Sequence, residues 1–207
     1  AHWDITRLKF VARVQTGIAL GKDYGGQMTS EFPYLRVANV QDGFIDLSEV
    51  KTMVVPEREA ASAMLRRGDV LMNEGGDADK LGRGAIWDGS IEPCLHQNHV
   101  FALRPMSVSS EWLSTWTCSD FAKAYFETRA KQSTNLASIS STNLLELPIA
   151  VSPEDEQQAI VEHITRETAK LDAVRTTTER TVALLKERRA ALIAAAVVGQ
   201  LDAGVAA

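Results

Sequence analysis

Cysteine and long hydrophobic runs are both scarce in this chain. Its 207 residues include only two cysteines, Cys94 and Cys118, too few for the disulfide framework of a small secreted protein. No apolar run approaches the roughly 18 residues that a membrane-spanning helix needs. Residues 1–5 do not resemble a secretory signal. We therefore expect a globular protein in a reducing cytoplasm, without a membrane segment.

Positive charge is also in short supply. The chain has 22 Lys and Arg against 27 Asp and Glu, a net charge of −5. Acids outnumber bases in both parts of the chain. Residues 1–152 contain 15 Lys and Arg against 18 Asp and Glu, and residues 153–207 contain 7 against 9. Because phosphate contacts dominate nucleic-acid affinity, a DNA-binding face would need clustered cations or help from partner subunits.

The common catalytic motifs are missing as well. The glycine-rich segment 75–84 has no Gly-Lys-Ser/Thr of a P-loop and no dinucleotide fingerprint. No serine stands in a nucleophile elbow, and no stretch suits an S-adenosylmethionine pocket. We therefore expect no catalytic activity from the chain itself.

A metal site is not indicated either. Cys94, His96, His99 and Cys118 do not have the spacing of a common structural zinc site. His96 and His99 are an odd number of positions apart, so on a strand they would face opposite sides of the sheet. The sequence predicts no metal and no cofactor on this chain.

Proline and glycine are absent from residue 154 to residue 198. Ser152 and Pro153 are typical of a helix start, the acids that follow favour the positive end of the helix dipole, and Gly199 is a typical stop. The sequence predicts a helix of about 46 residues, roughly 69 Å long at 1.5 Å per residue.

Apolar residues recur along this helix at an imperfect spacing of seven. That pattern favours pairing with another helix, although it is less regular than a leucine zipper. The alternative is a helix that lies along its own domain. The candidate interface residues are Ile164, Leu171, Val174, Leu185 and Leu192.

Residues 1–152 show a mixed pattern that predicts one α/β (α+β) domain of short strands and helices. Two stretches, 57–65 and 110–128, have helical spacing, and Trp112 and Trp116 in the second are expected to pack in the core. The turn at 41–43 is typical of a hairpin. The predicted strands are 8–14, 33–38, 44–47, 51–55, 70–73, 85–87, 100–103 and 147–151.

Three polar segments contain side chains suited to reading DNA. Asn and Gln pair with adenine, Arg and Lys pair with guanine, and Ser and Thr can hold phosphates. Ordinary solvated loops are the alternative interpretation. The candidates are Lys80 and Arg83 in the glycine-rich segment, Gln97 and Asn98, and Lys131, Gln132, Thr134 and Asn135.

A series of motifs resembles one half of the specificity (S) subunit of type I restriction–modification systems, over nearly the whole chain. The last two motifs, which open and close the long helix, are the most specific. In order, the motifs are residues 3–17, PYLRVANV at 33–40, LRRGDVLM at 65–72, QNHVFALRP at 97–105, QSTNLASIS at 132–140 with LPI at 147–149, EQQAIV at 156–161 and AVVGQLD at 196–202.

This resemblance implies a non-catalytic subunit that directs methyltransferase (M) and restriction (R) subunits to a bipartite site on double-stranded DNA. S-adenosylmethionine, Mg and ATP would belong to those partners. Residues 1–152 would form the target recognition domain, 153–199 the spacer and dimerisation helix, and 200–207 a flexible tail. The family has two recognition domains and two antiparallel helices, whereas this sequence has one of each, as a natural or an excised half. The resemblance therefore implies a homodimer held by an antiparallel coiled coil.

Two other interpretations remain open. The chain could be the specificity domain of an enzyme that fuses nuclease, methyltransferase and recognition parts in one polypeptide. It could also be a coiled-coil adaptor without a DNA role. Neither alternative makes the chain itself catalytic.

Overall fold

The computed structural model describes residues 2–76, 81–132 and 137–200. The chain divides into two compact units, Ala1–Gln158 and Ala159–Ala207. The first unit contains the sheets and five short helices named below, and the second contains most of one long helix. A mixed strand and helix domain followed by a long C-terminal helix is the fold class that the sequence predicts.

The elements are short before the last helix. The strands are β1 (Asp4–Arg7), β2 (Ala12–Thr16), β3 (Ser30–Leu35), β4 (Lys51–Val55), β5 (Val70–Asn73), β6 (Gly75–Gly76), β7 (Gly84–Ile86), β8 (Leu95–His96), β9 (Val100–Pro105), β10 (Lys131–Gln132), β11 (Ala137–Ser138) and β12 (Pro148–Val151). The helices are α1 (Leu8–Val11), α2 (Glu57–Ser62), α3 (Ser110–Thr117), α4 (Asp120–Arg129), α5 (Ser141–Leu145) and α6 (Glu154–Val197).

An antiparallel sheet of order β2-β9-β5-β7 lies at the centre of the first unit. All four residues of β5 are buried, as are the first four of β9. Strands with near-continuous apolar runs are covered on both faces, which explains why these two strands were predicted almost at their observed bounds. In their register Val70 lies opposite Leu103, and Asn73 lies opposite Val100.

Smaller sheets surround this one. Strands β4, β3 and β8 form one of them, with β3 and β8 parallel. Strands β1 and β12 form a two-stranded ribbon, and β10, β11 and β6 form a third small sheet. Two hydrophobic clusters fill the space between the larger sheets, one around Leu71 and Trp87 and the other around Tyr34 and Leu95.

The predicted helix 110–128 is two helices in the structure. Ser119 interrupts it, since its hydroxyl accepts a hydrogen bond from the backbone N–H of Ala122 at 3.3 Å and caps α4. Trp112 is buried and donates its indole N–H to the carbonyl of Ala150 at 3.0 Å. Trp116 does the same with Pro148 at 2.9 Å. Trp112 therefore packs in the core, as predicted, whereas Trp116 is only half-buried, and both join α3 to β12.

The predicted strand 8–14 is correct only in residues 12–14, which belong to β2, and the predicted strand 44–47 is wrong. Residues 8–11 form the one-turn helix α1, because Leu8 and Val11 are both buried and a helical turn puts side chains three apart on one side. The segment 44–47 has a single bridge, between Val40 and Ile45. The side-chain amide of Asn39 there donates to the carbonyls of Asp46 at 2.8 Å and Glu49 at 2.9 Å. A side chain therefore satisfies backbone groups that a neighbouring strand would otherwise bind.

Helix α6 has nearly the predicted length, 44 residues. Its C-terminus is a Schellman motif: Gly199 has φ 71°, its N–H donates to Ala196 at 3.2 Å, and the N–H of Gln200 donates to Ala195 at 2.8 Å. The N-terminus differs from the prediction, because the Ser152 hydroxyl has no hydrogen-bond partner among the described residues. The tail after Gln200 lies outside the described residues.

Candidate nucleic-acid interface

The small sheet β10-β11-β6 brings two of the predicted DNA-reading segments together. Ala137 pairs with Gln132 on one side and with Gly76 on the other. Residues 76, 132 and 137 therefore stand at the same end of the sheet. The glycine-rich segment continues after Gly76, and the second polar segment continues after Gln132. The sequence predicts both segments but not their adjacency, which depends on a long-range pairing.

Glu74 ties the third segment to this sheet. Its backbone N–H donates to the carbonyl of His99 at 2.9 Å, and its carbonyl accepts from the N–H of Ile139 at 2.9 Å. Its carboxylate lies 2.7 Å from Nδ1 of His99. We call the surface formed by residues 74–76, 97–99, 131–132 and 137–138 the loop end. All three predicted polar segments contribute to it.

Two glycines of the glycine-rich segment are required by packing. A Cβ on Gly75 would lie 2.4 Å from the carbonyl oxygen of Ala137, so only glycine lets β6 and β11 pair at this distance. Gly82 has φ 76°, and a Cβ there would lie 2.7 Å from the ring of Phe126. Gly75 thus allows close packing against β11 and Gly82 allows it against α4, which is a structural reason for glycine at both positions.

Only some of the predicted DNA-reading residues lie together at the loop end. Gln97 and Asn98 are half-buried at the loop end, where the backbone N–H of Gln97 donates to Leu35 at 2.9 Å. Lys131 is exposed there, and Gln132 follows it in β10. Arg83 is half-buried next to β7, and its carbonyl accepts from the N–H of Asn73. Three further candidates lie outside the described residues: Lys80, Thr134 and Asn135.

Sequence reasoning missed two residues at or near this surface. Glu74 directly precedes the Gly75–Gly76 pair, but its acidic side chain is not one of the basic and amide types that indicate DNA contact. Arg129 lies two residues before the candidate Lys131. Its guanidinium lies 4.0 Å from the centre of the Tyr125 ring, a cation–π contact at the end of α4. With Lys131 it places two exposed cations at the entry to the small sheet.

The cysteine and histidine residues nearby are poorly suited to metal binding. Burial raises the pKa of the Cys94 thiol to about 12, which disfavours the thiolate that zinc requires. Burial lowers the pKa of His96 to about 4, and its Nδ1 lies 2.7 Å from the carbonyl of Val100. Across residues 2–76, 81–132 and 137–200, no three His, Cys, Asp or Glu residues are grouped to hold a metal ion.

The second unit presents a row of exposed apolar side chains. All five candidate interface residues are exposed, from 38% for Ile164 to 70% for Leu171. The other three are Val174, Leu185 and Leu192. A solvent-exposed helix with this many large apolar side chains is typical of an element that pairs with another surface. The described helices include none that is both long and apolar enough to cross a bilayer.

Comparison with known proteins gives a consistent picture. No model of a protein family matches the chain. A curated relative from Methanocaldococcus jannaschii, a putative type I restriction enzyme MjaX specificity subunit, is 27% identical over 164 residues, which are 76% of this chain and 37% of the relative.

Solved structures resemble the chain at low sequence identity. A chain from a type I R-M system, solved in work on complex assembly and conformational transition, covers 94% of this chain with a TM-score of 0.65 and 21% identity. The HsdS subunit from Thermoanaerobacter tengcongensis covers 84% with a TM-score of 0.59 and 18% identity. The chain spans 45% and 39% of those two structures. The resemblance to specificity subunits that the motifs indicate is thus confirmed, and the fold is shared with them.

Proposed function

We propose, from this likeness, that the chain is a non-catalytic specificity subunit, or a part of one, of a type I restriction–modification system. It would bind DNA by sequence and direct methyltransferase and restriction subunits to a bipartite site. The M. jannaschii relative is named as a specificity subunit and matches 76% of this chain. Since the chain spans 37% of that relative, the activity of the whole assembly belongs to the proposal.

One observation supports DNA reading most directly, the convergence of three polar segments at the loop end. Gln97 and Asn98 contribute amide groups, which can pair with adenine in the major groove. Lys131 and Arg129 contribute exposed cations suited to phosphates. Glu74 holds the segments in a fixed arrangement through both its backbone groups. Base readout needs such fixed geometry, because a mispositioned amide loses its bidentate pairing.

The charge of the chain supports a division of labour. A net charge of −5 repels the DNA polyanion at long range, so the chain alone gains no electrostatic steering towards DNA. We therefore assign much of the phosphate contact to the methyltransferase subunits, and S-adenosylmethionine, Mg and ATP to the partner subunits. The isolated chain should bind DNA weakly, whereas the assembled complex should show a steep salt dependence.

Helix α6 supports self-association with a second copy. Its exposed apolar residues would gain about 25 cal/mol for each Å² of apolar surface that pairing removes from water. Charge favours an antiparallel arrangement: residues 154–175 contain six acids and three Lys or Arg, and residues 176–197 contain two acids and four Lys or Arg. Antiparallel pairing places the acidic half of one helix beside the basic half of the other.

Selection from a randomised duplex library tests the proposed function. The chain is incubated with the library in the presence and absence of its methyltransferase subunit, and bound DNA is sequenced. We expect enrichment of a defined sequence when the subunit is present. Asn98→Ala should relax the preference at one position, at a cost of about 1–3 kcal/mol. Lys51→Ala in β4 is the matched control and should leave the selected sequence unchanged. No enrichment in either condition would contradict the proposal and favour an adaptor.

A further inference from the structure

A second charged surface lies at the opposite end of the central sheet from the loop end. Strand β5 begins at Val70, beside this surface, and ends at Asn73, beside Glu74. The two ends are therefore about 10 Å apart along the strand, at roughly 3.3 Å per residue. The surface is an open cavity of ≈ 310 Å³. It is lined by the turn 66–69, by Arg104 and Pro105 at the end of β9, and by residues 108–110 at the start of α3.

Positive charge dominates this cavity. Arg66, Arg67 and Arg104 line it, and Asp69 is the lining carboxylate. Asp69 is already engaged, since both its oxygens bind the guanidinium of Arg104, at 2.8 and 2.7 Å. Within the described parts of the chain, neither Arg66 nor Arg67 forms an ion pair, and both are exposed. Asp88 attracts Arg67 from nearby but is itself hydrogen-bonded to Ser90.

A fourth arginine adds positive charge next to the arginines that line the cavity. Arg13 in β2 lies directly opposite Arg104 in β9. Directly opposed residues of antiparallel strands project from the same face, and like charges in such a pair destabilise the sheet. One carboxylate, Asp69, offsets this pair. A chain with a net charge of −5 thus places three arginines around one concave surface, with Arg13 opposite one of them in the sheet, and an anion bound there would offset their charge.

The turn that presents Arg66 and Arg67 is held rigidly. The N–H of Asp69 donates to the carbonyl of Arg66 at 2.9 Å, and Gly68 has φ 89° as the turn requires. Gly68 is fixed from two further directions. Its carbonyl accepts from the Ser110 hydroxyl at 2.7 Å, and its N–H donates to the carbonyl of Trp87 at 2.8 Å. A ligand that binds both arginines would therefore order little additional backbone.

We propose that this cavity binds a phosphate-class oxyanion through Arg66 and Arg67. Guanidinium groups bind phosphate through paired, charge-assisted hydrogen bonds. Arg104 neutralises Asp69, so the charge of the cavity is set by Arg66 and Arg67, and Arg13 adds positive charge opposite Arg104 in the sheet. The phosphate could come from a DNA backbone or from a free phosphate compound, and the site is separate from the loop end.

Titration of the 207-residue chain with inorganic phosphate at low ionic strength tests the site, followed through the arginine Nε–H signals in NMR. We expect saturable binding that is about tenfold weaker in the double variant R66Q/R67Q, because two charge-assisted contacts are lost. Both side chains are exposed, so the remaining amide spectrum should report an intact fold. Arg58→Gln, an exposed arginine on α2 outside the cavity, is the matched control and should bind as the wild type does.

A random-sequence DNA duplex distinguishes the two sources. Displacement of phosphate by the duplex identifies the DNA backbone, and undiminished phosphate binding in the presence of the duplex identifies a free phosphate compound. Absence of saturable binding, or equal binding by R66Q/R67Q and wild type, would overturn the proposal. Because this readout uses phosphate alone, it does not depend on whether the loop end reads DNA.

Discussion

Asp69 is a buried acid whose carboxylate is fully engaged by its neighbours. It is 1% exposed, binds Arg104 through both oxygens, and accepts the backbone N–H of Arg66 at 2.8 Å. It thereby joins the turn 66–69 to β9. Buried ion pairs add little net stability over a well-packed apolar pair, but removing one partner leaves an uncompensated charge.

Replacing Asp69 with Asn should therefore destabilise the chain. The amide keeps the shape but leaves Arg104 without its counter-charge, and we expect the free energy of unfolding to fall by about 3 kcal/mol. Urea denaturation measures this. Glu49→Gln, at an exposed acid 3.5 Å from Arg36, should cost less than about 1 kcal/mol. Equal effects of the two substitutions would show that the Asp69 pair is not a structural anchor.

His96 should make the stability depend on pH. Burial lowers its folded pKa to about 4, from an ordinary value of 6.5. Between these values the unfolded chain binds a proton that the folded chain does not, so stability is complete above pH 6.5 and falls as the pH drops towards 4.

The comparison of wild type with His96→Asn isolates this effect. From pH 7 to about 5.5, the wild type should lose about 1 kcal/mol more unfolding free energy than the variant, measured by urea denaturation. His163→Asn, at an exposed histidine of α6, should retain the wild-type dependence. Identical pH profiles for wild type and His96→Asn would mean that His96 is protonated in the folded state.

At the scale of elements, long or fully buried segments were predictable and short paired ones were not. Helix α6 follows from the absence of proline and glycine up to Gly199, and β5 and β9 follow from their apolar runs. The small sheet β10-β11-β6 has two residues in each strand, and its pairing joins positions about 60 apart in sequence. No local pattern specifies such pairing, because it is decided by tertiary packing around Gly75 and Glu74.

In the candidate site, too, the local features were predictable from sequence and the tertiary contacts were not. The sequence predicts which segments contain base-reading side chains, since the side-chain chemistry of Gln97, Asn98 and Lys131 is local information. It does not predict that Glu74 connects them, because that role depends on hydrogen bonds between backbone groups of three segments that are far apart in sequence. Glu74 is also acidic, whereas a DNA-binding surface is expected to be basic.

A charge placed within the apolar row of α6 should disrupt the proposed dimer. Leu171→Asp or Leu185→Asp would bury an unpaired carboxylate in the pair, at a cost of several kcal/mol. Sedimentation equilibrium should show dimer for the wild type and monomer for either variant. Ala183→Asp introduces the same charge on the opposite side of the heptad pattern and should leave the dimer intact. A wild-type chain that stays monomeric at tens of micromolar would contradict the pairing.

At the scale of the whole molecule, the proposed function requires a DNA-reading domain and a helix that pairs with a second copy. Two-fold symmetry would present two identical loop ends, which favours an inverted-repeat target with an unread spacer. Under this account the length of α6 determines the length of the spacer.

The most direct test changes that length. Seven residues inserted near the middle of α6 preserve the heptad pattern and add about 10.5 Å to each helix, at 1.5 Å per residue. Library selection with the methyltransferase subunit should return the same two half-sites separated by about three more base pairs, at 3.4 Å per pair. A spacer that does not change with helix length, or a selected sequence with a single half-site, would contradict the account.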